Sequence, residues 1–426
     1  MNNKNIEFKD SGISYIDKIP IHWNTAKVKN IVKIPVQTGA GEEAQDKHEK
    51  SIRYIRISDF DLNGKIKPEV AAYIHYEKGK NFLIEKGDIL CATAGATVGK
   101  TLFFEGLDEP SCYAGYLAKI RVNPNKMLNT FLLYQMRCQI MDGFRNFFVK
   151  KSTIENISAK TYSNMPIIVP PLNEQKKIAE FLDKKCEIID KRLNNLERKI
   201  KNLKEYKKSL ISECVTKGLN PKNREFKDSQ IPWIGQIPKH WEISKIKYVA
   251  KIRSENSSFN AENDKYIGLE NVAGYLNSLI ETNTEYENSI QAVCKKGDIL
   301  FGKLRPYLSK VIIAPFNCFC SSEFLQFINL KCYFKFFYYF LLNKNFIENV
   351  NSSTYGAKMP RANSNYIMNL NFLVPPLNEQ KEIAEFLDKK CEKIDRLNEN
   401  YTKQITALKE YKKSIIYECV TGKKEI

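Results

Sequence analysis

The chain contains one long segment written twice. Residues 170–216 read PPLNEQKKIAEFLDKKCEIID, then twelve residues of which ten differ between the copies, then LKEYKKSLISECVT; residues 375–421 repeat the segment at a constant offset of 205, with 33 of 47 positions identical. A second echo opens each half: EFKDSGISYIDKIPIHW at 7–23 and EFKDSQIPWIGQIPKHW at 225–241. A short one, KGDIL, stands at 86–90 and again at 296–300. Between the echoes the halves diverge, and TAGATVGKTLFFEG in one faces KLRPYLSKVIIAPF in the other. Such a repeat constrains the fold before any local propensity does. The order is variable domain (1–169), shared segment (170–218), variable domain (219–374) and shared segment with a tail (375–426).

The shared segments read as long helices. Pro170-Pro171 favours an extended approach to a helix start near Asn173. Beyond it Leu182, Cys186, Ile189, Leu193, Leu196, Ile200 and Leu203 alternate at spacings of four and three, which is a heptad seam. The second copy supplies Leu387, Cys391, Ile394, Asn398, Tyr401, Ile405 and Leu408. Gly218 and Gly422 fit the C-terminal ends. A narrow seam of this length calls for helix on helix. If the halves are equivalent, the residues near 422 lie beside Glu7 as those near 217 lie beside Glu225, and the helices must run antiparallel. The expected fold class is therefore α+β: two mixed α/β domains separated by two long antiparallel helices, a coiled coil with a pseudo-two-fold internal repeat.

Within the variable domains, 51–60 and 88–92 read as strands and 129–147 and 332–350 as helices crowded with aromatics. NMPIIVP and NLNFLVP each look like a last strand before a long helix. The 67 Lys and Arg exceed the 49 Asp and Glu by 18, which favours a polyanionic partner, nucleic acid before membrane. The shared helices hold +5 (173–217) and +2 (378–424), so most of the surplus belongs to the domains. The longest apolar run is seven residues, too short to span a bilayer, and MNNKNIEFKD lacks a signal-peptide core. Eleven Cys without a CxxC pair, and four His without HExxH, argue for reduced thiols in a cytoplasmic protein and against a metal centre.

One motif resembles a catalytic one. AGATVGKT at 94–101 fits the permissive phosphate-loop pattern, but such a loop must open a helix, and TLFFEG looks like a strand. A Gly-rich loop beside a nucleic-acid backbone, or a structural turn, fits better. VPPL at 169–172 and 374–377 lacks the Asp or Asn and the aromatic of an adenine-methyltransferase motif. The His-Trp pairs at 22–23 and 240–241 read as packed corners. The candidate DNA-binding residues are Thr93, Gly95, Thr97 and Lys100, then Lys150, Lys151 and Ser152, in the first half. In the second they are Lys303, Arg305, Tyr307 and Lys310, then Tyr355, Lys358 and Arg361. Arg and Lys can grip phosphate or read guanine edges, and hydroxyls and backbone N–H groups add backbone contacts.

Two divergent domains, each ending in PPLNEQ and a long helix, resemble the specificity subunit of Type I restriction-modification systems. PPLNEQKKIAEFLDKK, its second copy, and the starts Trp23…Lys27-Val-Lys29 and Trp241…Lys245-Ile-Lys247 carry the resemblance. It implies a non-catalytic subunit whose target-recognition domains each read half of a split, asymmetric site in double-stranded DNA. It further implies two methyltransferase subunits and a motor endonuclease as partners. S-adenosylmethionine, ATP and magnesium would be held by those partners, with no cofactor on this chain. The alternative is a non-catalytic scaffold with two protein-binding modules on a coiled-coil rod.

Overall fold

A computed structural model describes residues 7–426 apart from 62, 63, 65, 68, 69, 150–155, 222, 223, 283, 285 and 357. The chain forms two units, Met1–Asn195 with Gln404–Ile426, and Leu196–Lys403.

Both shared segments are helical, over Leu172–Lys217 and Leu377–Val420. Gly218 and Gly422 end them in the left-handed region, at φ 75° and 73°. In the first unit Ile178, Leu182 and Cys186 share a core with Ile415, Ile416, Cys419 and Val420. In the second, Ile211, Cys214 and Val215 share one with Ile383, Ala384, Leu387 and Cys391. Early residues of one helix meet late residues of the other in each unit, so the pairing is antiparallel, as expected from connectivity. One ion pair repeats with it. Lys412 Nζ lies 2.6 and 2.7 Å from the Asp190 oxygens. Lys207 Nζ lies 2.8 and 2.7 Å from those of Asp395, and the offset of 205 maps one pair onto the other.

Each domain is mounted on its helix pair by repeated residues. The strand Pro166–Val169 pairs antiparallel with Asn24–Lys27, and Asn371–Val374 with Glu242–Lys245. Glu174 accepts from Trp23 Nε1 at 2.8 Å and faces His22 Nε2 at 3.1 Å. Glu379 takes the same two partners, Trp241 at 3.2 Å and His240 at 2.8 Å, and adds Arg224. The indoles are buried and the imidazoles half exposed, so the His-Trp pairs are packed corners. Buried Gln175 accepts from Leu128 N and donates to the Pro170 carbonyl; Gln380 does the same with Tyr333 N and Pro375. Tyr134 donates to Asp183 at 2.6 Å and Tyr339 to Asp388 at 2.7 Å.

The domains themselves share a topology. The first has a sheet in the order Gln37–Thr38, Leu117–Ile120, Ile89–Ala92, Thr101–Phe103. The second has Lys251–Ile252, Phe324–Ile328, Ile299–Gly302, Val311–Ile313. A second sheet carries a parallel pair in each: Ser51–Ile55 with Ser111–Tyr113, and Tyr266–Ile267 with Cys318–Cys320. KGDIL is the turn entering the central strand. Its Asp accepts a backbone N–H, from Glu85 to Asp88 and from Lys295 to Asp298, both at 2.8 Å. Arg121 and Arg253 clamp these carboxylates with two nitrogens each, from different strands.

Several expected elements are shorter than their sequence pattern. The strand at 51–60 ends at Ile55, because fully buried Asp59 turns the chain through Ile57–Asp59 and is held by Arg56 at 3.1 Å. The helix at 129–147 is two, Asn129–Met136 and Gln139–Val149. That at 332–350 is Phe334–Leu341 and Lys344–Ser352, broken where buried Asn343 accepts from Asn345 N. All eleven cysteines are free; ten are buried, and burial pushes Cys391 up to about 11 and Cys419 up to about 12.

One seam position is polar. Asn398 stands where the first helix has Leu193, and its side-chain oxygen is buried without a partner among the described residues. A buried polar atom left unpaired costs about 1–3 kcal/mol. Asn398→Leu is expected to stabilise the chain by about 1 kcal/mol, read as a higher urea midpoint at unchanged slope.

Candidate nucleic-acid interface

The divergent loops after KGDIL have the same backbone. Gly95 and Gly99 lie at φ 74° and 85°, and Arg305 and Ser309, in the same places of the second domain, both lie at φ 52°. A single short 3-10 turn follows in each, Gly95–Thr97 and Pro306–Leu308, and then a strand. AGATVGKT therefore opens no helix and lacks the geometry of a phosphate loop. Its glycines supply left-handed backbone, which the second domain achieves with Arg and Ser at a cost of about 1–2 kcal/mol per residue.

Three backbone strands meet beside each loop. In the first domain Thr93 N donates to the Tyr116 carbonyl at 3.0 Å, and Ile157 N to the Thr93 carbonyl at 2.8 Å. In the second Lys303 N donates to the Glu323 carbonyl at 2.8 Å, and Ala362 N to the Lys303 carbonyl at 3.0 Å. Bridges Ala94–Asn156 and Leu304–Arg361 complete the match. The same frame thus presents Thr93, Tyr116 and Asn156 in one domain and Lys303, Glu323 and Arg361 in the other.

The candidate residues divide by orientation. Lys303, Arg305, Tyr355 and Arg361 converge, since Arg305 N donates to the Pro360 carbonyl at 2.7 Å and Tyr355 exchanges backbone bonds with Arg361. Tyr307 and Tyr355 are 51% and 62% exposed, and Lys358 is exposed beside them. Burial pushes the Lys303 ammonium below its ordinary pKa. Lys310 turns inward, its Nζ 2.6 Å from the Leu269 carbonyl, and Lys100 also turns to a backbone carbonyl, that of Phe60, at 3.5 Å. Thr93 is buried, and its backbone groups are used inside the frame. Gly95 is exposed and Thr97 half-buried on the turn. Lys150, Lys151 and Ser152 lie outside the described residues.

Sequence reasoning missed Tyr116 and Glu323, which stand just before the strands, Leu117–Ile120 and Phe324–Ile328, that pair with the KGDIL strand. Tyr116 is 69% exposed. The two are 207 apart whereas the KGDIL copies are 210 apart, so an ungapped extension of that alignment does not bring them together. Most of the crowded aromatics at 332–350, by contrast, are interior: Phe336, Phe337 and Phe340 are fully buried in their own unit, although Phe334 is exposed. Among the described residues no group of three His, Cys, Asp or Glu is placed to hold a metal, and no helix is long and apolar enough to cross a membrane.

One scaffold built twice, mounted identically and offering different polar side chains at the same place, defines a doubled recognition module. The model of the Type I restriction modification DNA specificity domain matches residues 20–203 and 238–407, and the chain belongs to that family. It is a Type I restriction-modification specificity subunit with two DNA-recognition domains. It is 27% identical over 361 residues to the MjaVIII specificity subunit of Methanocaldococcus jannaschii, covering 81% of this chain and 80% of that one. It is 23% identical to the EcoDI specificity subunit of Escherichia coli, covering 71% of each. Among solved structures, a chain of a type I restriction-modification complex superposes with a TM-score of 0.73 at 16% identity, covering 95% of this chain and 99% of that one. The HsdS subunit from Thermoanaerobacter tengcongensis gives 0.55 at 16% identity, covering 95% and 98%.

The left-handed positions are testable. Arg305→Gly is expected to raise stability by about 1 kcal/mol, and Gly95→Ala to lower it by about as much. The space beside Gly95 is open, so the second effect is conformational and not steric. Denaturant midpoints of the two variants measure both.

Proposed function

We propose that this subunit reads a split, asymmetric site in double-stranded DNA, one domain to each half-site. The observation that carries the reading is the matched frame: identical backbone bonding around Thr93, Tyr116 and Asn156 and around Lys303, Glu323 and Arg361. Equal scaffolds with unequal side chains suit an asymmetric target, and base edges, not phosphates, carry sequence. The positive surplus of the domains supplies the sequence-independent attraction. The paired helices set the gap between the half-sites. Two methyltransferase subunits and a motor endonuclease bind the chain and perform the chemistry. They hold S-adenosylmethionine, ATP and magnesium, and this subunit holds no cofactor and acts in the cytoplasm. The curated relatives, specificity subunits of type I restriction enzymes, support the reading. Most aromatics of the helix stretch 332–350, which a protein-binding scaffold would expose, lie in the core.

The test is the methylated motif in DNA from cells carrying this chain and its methyltransferase, read by long-read sequencing. A motif of two unlike half-sites around an unspecified spacer is expected. Four-residue insertions after Asn195 and after Lys403 together lengthen the helix pair by about 6 Å. They are expected to lengthen the spacer and leave both half-sites unchanged. A continuous motif, or altered half-sites with the old spacer, would overturn the reading.

A further inference from the structure

We propose that Arg361 reads a guanine in the half-site of the second domain and that Glu323 is its positioning residue. The inference rests on the reading of the domains as DNA readers and names the base class that one of them takes.

The backbone of Arg361 is fixed on both sides, by the bridge to Leu304 and by bonds to Tyr355 N and O at 3.3 and 3.0 Å. Its side chain is pinned from behind. Arg361 Nη2 donates to Glu323 Oε1. The carboxylate side chain is 21% exposed and the guanidinium side chain 46%, so the cation is the outward partner. The other oxygen of Glu323 is buried without a hydrogen bond among the described residues. A guanidinium has five N–H donors, and Glu323 takes one, which leaves a fork free to face solvent. Tyr355, Lys358 and Met359, on the same loop, are exposed as well.

The carboxylate also selects what the fork can bind. A phosphate would meet a guanidinium whose positive charge is already balanced by the Glu323 carboxylate behind it. The O6 and N7 acceptors of guanine carry no net charge and match the fork in geometry. An acidic side chain at the centre of a basic loop cluster is unfavourable for gripping a backbone and suited to holding a reader in one orientation. The first domain has Tyr116 and Asn156 in these positions and so lacks a buttressed cation there.

The experiment measures affinity of the complex of this chain with its methyltransferase for duplexes carrying single base-pair changes, at two salt concentrations. Arg361→Ala is expected to weaken cognate binding about 10- to 100-fold and to flatten preference at one G·C pair, with the salt slope unchanged. Glu323→Ala is expected to flatten preference at that same pair while binding to non-cognate duplex holds or tightens, because a negative charge is gone. Glu323→Gln keeps an acceptor for Nη2 and is expected to retain the preference. A structural role for Glu323 would instead weaken all sequences together. Replacing that guanine by 7-deazaguanine removes the N7 acceptor without touching the protein, and it is expected to weaken the wild-type complex and leave Arg361→Ala unaffected. Uniform weakening by Arg361→Ala with a salt slope smaller by about one would make Arg361 a phosphate contact and overturn the inference, as would unchanged preference at every position. A wild-type complex with no sequence preference would instead overturn the reading of the domains as DNA readers.

Discussion

Each long helix carries an apolar stripe that only another helix can cover, and the rest of the structure depends on that cover. The first unit is completed by residues 404–426, whose Ile415, Ile416, Cys419 and Val420 enter its core. The second draws Ile211, Cys214 and Val215 from the preceding helix. Neither domain therefore has a finished base until both helices are made. Because the two helices are near copies, the two bases are near copies as well, down to the Lys–Asp pair and the Glu that grips a Trp.

Identical mounts have a consequence for recognition. The side chain at a given place in the frame is presented from the same backbone in both domains, so differences in chemistry follow from residue identity. The left-handed position after KGDIL shows how strictly the backbone is kept. Gly95 occupies it without strain, whereas Arg305 is held there by its bond to Pro360 and by the helical turn that Pro306 starts. Strain retained in a divergent loop marks a place where a side chain is worth its conformational cost.

The repeat, the seam, the antiparallel pairing, the last strand of each domain and the His-Trp corners were legible because each depends on local pattern or connectivity. The split of 332–350 was not, since apolar residues stand on both sides of the break and its cause is Asn343, buried only in the tertiary fold. Lys100 and Lys310 read as free cations in sequence, yet each reaches a carbonyl about 40 residues earlier in the chain. Tyr116 and Glu323 enter the frame through strand pairing, which no local motif announces. The sequence set AGATVGK opposite LRPYLSK, but not their shared left-handed positions, because Arg305 and Ser309 stand where the first loop has glycines.

The central claim is that the two frames are equivalent in backbone and distinct in what they read. Its most direct test transplants one set of side chains, as the triple substitution Thr93→Lys, Tyr116→Glu and Asn156→Arg, and sequences the methylated motif. Equivalent frames predict that the first half-site changes while the second half-site and the spacer stay as they were. A motif altered in both halves, or unaltered in either by a folded variant, would contradict the account.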